Sequence, residues 1–117
     1  MSIKECHNFE DFKKLAKKNL PAPIYNYIDG GADDETTLKR NTESFSKCDL
    51  IPNILASVGE PDLSANVFGH KIDMPLFLSP TAMQKLYHHD GDKASARAAE
   101  KFGTFYSMST MATTSIE

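Results

Sequence analysis

The sequence predicts an α/β fold in which several short helices are followed by a βαβ unit. Residues 9–45 repeat apolar side chains at helical spacing between proline and glycine stop signals, which is the pattern of amphipathic helices. Residues 75–79 form a short apolar run of the kind found in buried parallel strands. An alanine-rich segment, 93–102, and a second β-rich run, 104–109, come next. Strand, helix and strand therefore succeed one another within about 35 residues.

The first helix is predicted to begin after Asn8. Asparagine is a good helix cap, and Asp11 stands three residues later, as in a capping box. Apolar residues then form one stripe, and lysines form the opposite face: Phe9, Phe12, Leu15 and Ala16; Lys13, Lys14, Lys17 and Lys18. The lysines predict a solvated surface, and a membrane-surface or anion-binding role is the alternative.

Two further helices are predicted before residue 48. Pro21 and Pro23 end the first helix and suit the first turn of the next one, which Gly30-Gly31 then stops. The acidic run 33–35 places negative charge at the start of the third helix, where the helix dipole favours it. The apolar face of this helix is predicted to contain Leu38, Thr42 and Phe45.

Residues 49–73 are predicted to form a loop and a small hairpin. Residues 50–52 are read as a short extended piece, and residues 53–65 as a loop. Two short strands are expected within 67–72, with the turn at Gly69-His70. The predicted division is a helical lead-in, this segment and a βαβ part, all in one domain: 1–48, 49–73 and 74–117.

Both predicted parallel strands lead into loops rich in small and hydroxyl-bearing residues, which begin at 79–84 and 109–113. Loops that follow parallel strands lie at the same edge of a sheet, where α/β active sites are built. Their N–H groups and hydroxyls can approach a flat or anionic ligand there. The alternative is that these Ser and Thr residues only form turns. Residues 113–117 are predicted to form a loop and the N-cap of another helix.

Composition excludes several classes of function. The 117 residues carry a formal net charge of −3, which gives a nucleic acid no electrostatic footprint. No apolar run reaches the roughly 18 residues of a membrane span. The first residues contain neither an apolar leader nor an Arg-rich amphipathic stretch, so a cytoplasmic location is expected. Cys6 and Cys48 are read as reduced thiols.

Common nucleotide and metal motifs are also absent from the sequence. It contains neither GxxxxGK[ST] nor GxGxxG. His88-His89 is read as a solvated pair, because adjacent histidines project differently and no Cys or His cluster accompanies them. No metal ligand is therefore predicted. The acids at 33–35 are likewise read as helix-start residues rather than catalytic carboxylates.

Several separate motifs together resemble the FMN-dependent (S)-2-hydroxy-acid oxidases and dehydrogenases, of the glycolate oxidase and L-lactate dehydrogenase type. Residues 25–38, YNYIDGGADDETTL, are similar to the N-terminal signature of that family. Residues 74–86 resemble its first barrel strand and flavin loop, and residues 108–113 its second strand end. The resemblance implies a (β/α)8 TIM barrel. A complete barrel needs about 250 residues, so this chain would hold only the N-terminal helices and the first βαβ part.

The resemblance implies FMN as the cofactor and assigns four cofactor-binding residues. Pro80, Thr81 and Ala82 match the loop that lies against the isoalloxazine ring, where main-chain groups meet the flavin. Ser109 matches a hydroxyl residue that contacts FMN from the end of the second strand. These assignments come from the family pattern.

The resemblance also implies a small-molecule L-2-hydroxy acid, lactate-like or glycolate-like, as the substrate. Tyr27 matches the tyrosine whose hydroxyl helps to bind the substrate carboxylate, and the alternative is a tyrosine that only packs within its helix. Met111 stands where relatives vary near the substrate side chain. Because an unbranched thioether adapts its shape, a small or medium aliphatic substrate is expected.

The family's catalytic residues have no match in these 117 residues. Relatives use a later histidine as base, a later arginine to clamp the carboxylate and a later lysine beside the flavin. The resemblance therefore implies the N-terminal part of an enzyme that oxidises the hydroxy acid to its 2-keto acid and passes electrons to oxygen, a quinone or a cytochrome. This chain alone is expected to be inactive.

Several alternatives stay open. The chain could be a non-catalytic, truncated binding module, or part of another FMN barrel such as a flavin-dependent isomerase, against which the segment around Tyr27 counts. Relatives are often tetramers, which leaves a homotetramer open for the full-length protein. A peroxisomal location and peripheral membrane association are also left open.

Overall fold

The computed structural model of the chain describes residues 2–55 and 59–117. The chain divides into two compact units, a helical one over residues 1–56 and an α/β one over residues 57–117. Among the described residues, no helix is both long enough and apolar enough to cross a membrane.

The helical unit contains the three predicted helices. In chain order its elements are a 3-10 turn at Ile3–Glu5, α1 at Phe9–Asn19, α2 at Ala22–Asp29, α3 at Thr36–Glu43 and a 3-10 turn at Ser44–Lys47. The predicted cap of α1 is confirmed, because Asn8 Oδ1 accepts the N–H of Asp11 at 2.9 Å. Asp11 Oδ2 accepts the N–H of His7 at 3.2 Å. These bonds satisfy backbone donors at the start of the helix.

Charged and aromatic side chains join α1 to α2. Lys13 Nζ lies 2.6 Å from Asp29 Oδ1. Lys17 Nζ lies 5.9 Å from the ring centroid of Tyr25, which is buried. The prediction of a solvated lysine face is confirmed for Lys17, which is exposed, but it is wrong for Lys13, which is half-buried beside α2.

The start and end of α3 differ from the prediction. Glu35 has a left-handed backbone, with a φ of 58°, and its side chain does not cap the helix. Its Oε1 accepts the N–H of Gly31 at 3.2 Å instead, which closes the turn after α2. Phe45 lies beyond α3, in the 3-10 turn into which the helix tightens, and is 80% exposed. The expected apolar face therefore does not extend to Phe45.

A two-stranded hairpin opens the α/β unit. β1, Ala65–Val67, pairs antiparallel with β2, His70–Ile72. The turn residues are Phe68 and Gly69, with φ of 52° and 80°, so the turn lies one position before the predicted Gly69-His70. Two-residue hairpin turns favour positive φ at both central positions, because this matches the twist of the strands.

The segment before the hairpin is irregular where the structure describes it. Residues 50–52, expected to be extended, form no strand, and Leu50 is 97% exposed. Within the predicted loop 53–65, residues 56–58 lie outside the described residues.

The predicted βαβ connection is present. Its crossover helix is α4, Asp92–Lys101. Leu78 forms a parallel bridge with Tyr106. The Leu78 N–H donates to the carbonyl of Phe105, and the Ser107 N–H donates to the carbonyl of Leu78, each at 3.0 Å. The extended segments that precede and follow α4 in the sequence therefore lie side by side and run in the same direction.

The parallel pairing is shorter than the predicted strands at 75–79 and 104–109. Pro80 has no N–H to donate, which limits the ladder after the bridge. Before the bridge, the Leu76 N–H donates to the carbonyl of Met74 in its own segment. One further backbone bond joins the segments where α4 ends, from the Asp73 N–H to the carbonyl of Gly103 at 2.8 Å. Gly103 has a φ of +59°, which suits its predicted role as the residue that ends the helix.

Successive side chains of the second extended segment point to opposite sides, as in a strand. The Tyr106 hydroxyl reaches Asp92 at the start of α4. Phe105 instead packs edge-on against His70 of β2, with the ring centroids 6.1 Å apart. On the α4 side lies an apolar groove of about 340 Å³, whose lining includes Met74, Leu76, Leu78, Ala98 and Phe102.

Few apolar side chains are buried within either unit. Among the described residues, the buried ones are Tyr25, Ile72 and Ala99. Leu76 and Phe102, on the two sides of the apolar groove, are 60% and 55% exposed. Parallel sheets normally bury both faces. This exposure is therefore expected of a barrel segment that packs against further strands and helices.

Candidate functional site

Two loops meet at one edge of the α/β unit. We call residues 79–86 the first loop and residues 107–113 the second loop, since each follows one member of the parallel pair. The Met83 N–H donates to the carbonyl of Met111 at 3.1 Å. The Lys85 N–H donates to Thr113 Oγ1 at 3.2 Å. These hydrogen bonds hold the two loops side by side.

A buried carboxylate joins the second loop to α4. Asp92 stands in the first turn of α4 and is only 3% exposed. Its Oδ1 accepts the Tyr106 hydroxyl at 2.7 Å. Its Oδ2 accepts the N–H and the hydroxyl of Thr113, at 3.0 and 2.9 Å. Three donors therefore compensate the removal of this carboxylate from water.

The hydroxyls that donate to Asp92 also accept bonds from the first loop. The Tyr106 hydroxyl accepts from Gln84 Nε2 at 3.0 Å, and the Thr113 hydroxyl accepts from the Lys85 N–H. Gln84 Oε1 accepts the Ser95 hydroxyl of α4 at 2.7 Å. Because an ionised carboxylate can only accept, Asp92 fixes the direction of these bonds.

Hydrogen bonding and burial move the pKa values of this pair of groups in opposite directions. The Tyr106 hydroxyl and then the donors of Thr113 lower the pKa of Asp92, against the opposing effect of burial. Burial and then the bond to Asp92 raise the pKa of Tyr106 to about 12. Asp92 is therefore ionised and Tyr106 protonated at neutral pH, which is the arrangement that the hydrogen bonds require.

The predicted first-loop residues lie beside this network. Pro80 and Thr81 are exposed, and Ala82 is half-buried. Among the residues that the structure describes, no acceptor is found for the N–H of Thr81 or of Ala82. Met83 follows with a left-handed φ of 52°, so the chain turns there toward the second loop. Two backbone donors at the edge are thus open to a ligand.

The predicted second-loop residues are Ser109 and Met111. Ser109 is half-buried, and its Oγ accepts the N–H of Met111 at 3.1 Å. Within residues 2–55 and 59–117, the hydroxyl hydrogen of Ser109 has no acceptor, so it remains able to donate. The side chain of Met111 is exposed. Thus the structure brings together the two loops that carry five of the six predicted site residues.

The sixth predicted residue, Tyr27, belongs to the helical unit. It lies on α2 and is 57% exposed, whereas Tyr25 on the same helix is buried at 9%. Tyr25 fills the packing role between α1 and α2. The exposure of Tyr27 therefore favours a role outside the packing of α2.

His88, His89 and Asp90 stand together on the surface before α4. Each offers a ligand atom within 4.8 Å of the others. Asp90 Oδ2 is paired with Arg97 Nη2 at 2.6 Å, and His88 Nδ1 accepts the N–H of Asp90 at 3.2 Å. These contacts favour the interpretation of His88-His89 as a solvated surface pair.

Sequence reasoning missed Asp92, although the residue connects the two loops. An aspartate in the first turn of a helix reads as an ordinary dipole partner, and its donors stand 14 and 21 residues away. Residues 113–117 form the predicted loop, and the helix expected to follow it stays a prediction. Thr113, at the start of this loop, donates its hydroxyl to Asp92.

Comparisons with known proteins point to one family. A family model described as FMN-dependent dehydrogenase matches residues 16–117. Glycolate oxidase 1 of Oryza sativa subsp. indica is 47% identical over 113 residues, which make up 97% of this chain and 31% of that protein.

Solved structures agree with this match. A soluble mutant of the membrane-associated (S)-mandelate dehydrogenase from Pseudomonas putida is 41% identical, with a TM-score of 0.87, over 94% of this chain and 32% of that one. A (putative) lactate oxidase from Pediococcus acidilactici is 34% identical, with a TM-score of 0.87, over 96% and 31%. The fold class is thereby confirmed as N-terminal helices and the first βαβ part of a (β/α)8 barrel. The chain spans about a third of the length of the relatives it matches.

Proposed function

Because the chain belongs to the FMN-dependent dehydrogenase family, whose cofactor is FMN, we propose that it forms part of the active site of an enzyme that oxidises an L-2-hydroxy acid to the 2-keto acid. The substrate loses two electrons and two protons in this reaction. FMN, when bound, accepts two electrons and so supplies the redox chemistry. The residues of this chain hold the cofactor and orient the substrate.

The donors of the two loops suit FMN. The isoalloxazine ring is flat and carries nitrogen and oxygen acceptors along its edge. The open N–H groups of Thr81 and Ala82 and the hydroxyl of Ser109 are donors that can meet such an edge. Pro80 and Ala82 have small, apolar side chains that allow a flat ring to approach the backbone.

The observation that carries the proposal is the pairing of the two loops across the parallel segments. Met83 and Lys85 of the first loop donate to the carbonyl of Met111 and the hydroxyl of Thr113 in the second. α/β enzymes build their active sites at this edge of the sheet. The pairing supports one shared cofactor site.

The names of the matched relatives support a 2-hydroxy acid as the substrate class. Glycolate, lactate and mandelate, in the names of those proteins, all carry a hydroxyl next to a carboxylate. Tyr27 would donate its hydroxyl to this carboxylate. Met111 would line the substrate side chain, which favours a small or medium aliphatic group such as that of lactate or glycolate.

The remaining catalytic groups are proposed to lie in the part of the relatives that this chain does not match. A histidine base, an arginine for the carboxylate and a lysine beside FMN would come from that part. We therefore expect this chain alone to turn over no substrate. The electron acceptor, the cytoplasmic location and the homotetramer stay predictions.

The test uses the protein made from the complete open reading frame that contains residues 1–117. The purified protein is loaded with FMN and mixed anaerobically with glycolate, L-lactate or D-lactate. We expect the L-acid or glycolate to bleach the visible flavin band, whereas D-lactate leaves it unchanged. A protein that binds FMN but is bleached by no L-2-hydroxy acid would contradict the proposal and favour the non-catalytic alternative.

A further inference from the structure

We propose that Asp92 is a positioning residue for FMN: its carboxylate holds the first and second loops together so that both can contact the cofactor at once. The inference rests on the proposed function, since it concerns the same site. Asp92 is not proposed to touch FMN or the substrate. It acts through the residues that it orients.

Burial makes the Asp92 carboxylate dependent on its hydrogen-bond donors. Asp92 is 3% exposed, and its two oxygens accept three hydrogen bonds, all from Tyr106 and Thr113. Removing a buried carboxylate from water costs free energy unless donors compensate it. If the second loop moved away, the Asp92 carboxylate would therefore be exposed to water or left buried without the donors of Thr113.

The direction of the hydrogen bonds connects the carboxylate to the first loop. Because Asp92 can only accept, the hydroxyls of Tyr106 and Thr113 must donate to it, which leaves their lone pairs for other donors. Those donors are Gln84 Nε2 and the Lys85 N–H, both in the first loop. One carboxylate thus sets the bonds that join the two loops.

The hydrogen-bond network around Asp92 lies close in the sequence to the predicted cofactor contacts. Ala82 stands two residues before Gln84, and Ser109 stands four residues before Thr113. A loop that is held in its binding geometry loses less conformational entropy when a ligand binds. Loss of the carboxylate is therefore expected to weaken FMN binding even though the donors to FMN remain.

Asp90 provides a matched control. It is an aspartate close to the start of the same helix, but it pairs with Arg97 on the surface. Among the described residues, its carboxylate contacts neither loop. Asp90→Asn and Asp92→Asn make the same chemical change and remove the same charge. They differ in whether the lost carboxylate holds the loops.

The experiment measures the FMN dissociation constant of the full-length protein after the cofactor is stripped, by quenching of FMN fluorescence. We expect Asp92→Asn to weaken binding about 10-fold or more, by analogy with residues that orient metal ligands. Asp90→Asn is expected to stay within about twofold of wild type. Asp92→Glu keeps an acceptor-only group and is expected to recover most of the affinity. Equal affinities for Asp92→Asn and Asp90→Asn would overturn the inference.

A second variant keeps the inference testable if Asp92→Asn does not fold. Thr113→Val retains the side-chain shape and removes the hydroxyl that donates to Asp92 and accepts from Lys85. A weakening of FMN binding of about threefold or more would support the inference, and wild-type affinity would overturn it. Failure of the wild type to bind FMN would reject both the proposed function and the inference about Asp92. Normal binding and bleaching in Asp92→Asn would reject only the role of Asp92.

Discussion

The helical unit and the α/β unit are stabilised by contacts of different range in the sequence. In the helical unit, the side-chain bond that starts α1 joins Asn8 to Asp11, three residues apart. In the α/β unit, the first loop is bonded across 22 residues from Gln84 to Tyr106 and across 28 from Lys85 to Thr113 of the second loop. The Lys13–Asp29 ion pair of the helical unit joins two consecutive helices, whereas the bonds of the α/β unit join segments that are separated by a whole crossover helix.

Two aspartates, one in each unit, differ in their exposure to solvent and in the partners that stabilise their charge. Asp29 in the helical unit pairs with Lys13, and each side chain is one-third exposed. Asp92 in the α/β unit is buried and accepts its bonds from distant residues. Exposed ion pairs are screened by water and salt, whereas a buried carboxylate depends fully on its donors. The α/β unit should therefore be more sensitive to single substitutions.

Asp92→Asn is expected to have the largest effect on stability. The amide cannot accept all three bonds from Tyr106 and Thr113 without leaving one donor unpaired, so we expect a loss of about 2–4 kcal/mol in the free energy of unfolding. Urea unfolding of the full-length protein measures it. Asp90→Asn, which removes a surface carboxylate, is the control, and an equal loss in both variants would contradict the prediction.

The same substitution should change the response to acid. Because the folded-state pKa of Asp92 is lowered, its contribution is complete above the ordinary aspartate range and is lost as pH falls through the folded-state pKa. Asp92→Asn should therefore unfold with a weaker acid dependence than wild type. Unfolding curves at a series of acidic pH values would show this, and parallel curves would count against it.

Gly103→Ala is expected to have the next largest effect on stability. An added Cβ would clash with the Asp73 side chain, at a residue with φ of +59°. We expect a loss of about 2–3 kcal/mol, measured by urea unfolding. Gly69→Ala is the control, because Gly69 also has positive φ but an added Cβ meets nothing within 4 Å. A larger loss in Gly69→Ala would contradict the reasoning.

Tyr27→Phe tests the functional role proposed for the helical unit. Loss of the hydroxyl should remove a hydrogen bond to the substrate carboxylate and raise KM about 10-fold, or about 1.4 kcal/mol. FMN affinity should stay near wild type. Steady-state kinetics with L-lactate or glycolate measures the change. Tyr25→Phe makes the same change at the buried neighbour, and an equal rise in KM there would argue for a packing effect.

Asn8→Ala tests the short-range contacts of the helical unit. The variant loses the bond from the Asp11 N–H to Asn8 Oδ1, which should cost about 1 kcal/mol. Hydrogen exchange of the α1 amides measures this loss locally. Asn8→Ser keeps a capping oxygen and should stay close to wild type. Unchanged protection in Asn8→Ala would show that the cap contributes nothing.

Asp29→Asn is expected to have the smallest effect. Lys13 lowers the pKa of Asp29, and Asp29 raises that of Lys13. The stabilisation should therefore fade as pH falls through the folded-state pKa of Asp29, or as it rises through that of Lys13. Thermal unfolding at neutral and acidic pH measures it, with Asp34→Asn as a surface control. A loss as large as that of Asp92→Asn would remove the contrast between the two units.

Sequence reasoning succeeded where the contacts are short in range. The cap at Asn8 and the three helices follow from residues within one or two turns of each other. The extent of the parallel pairing could not be read this way, because an apolar run such as 75–79 does not show which of its N–H groups find a partner. Pro80 ends the pairing on one side of Leu78, and on the other side the Leu76 N–H donates to the carbonyl of Met74.

The candidate site was predicted in part. Family resemblance identified Thr81, Ala82 and Ser109 as members of two loops at one edge, and the structure brings those loops together. The resemblance gave no reason to single out Asp92, and its local sequence looked ordinary. Its importance depends on Tyr106 and Thr113, which reach it only after the crossover is formed.

The central claim is that the two loops form one FMN site, and hydrogen exchange of the full-length protein with and without FMN tests it most directly. We predict that FMN slows exchange at amides of the first loop near Thr81 and Ala82 and also at amides of the second loop near Ser109, while the amides of α1 remain unchanged. Protection of only one loop, or of neither, would contradict the claim.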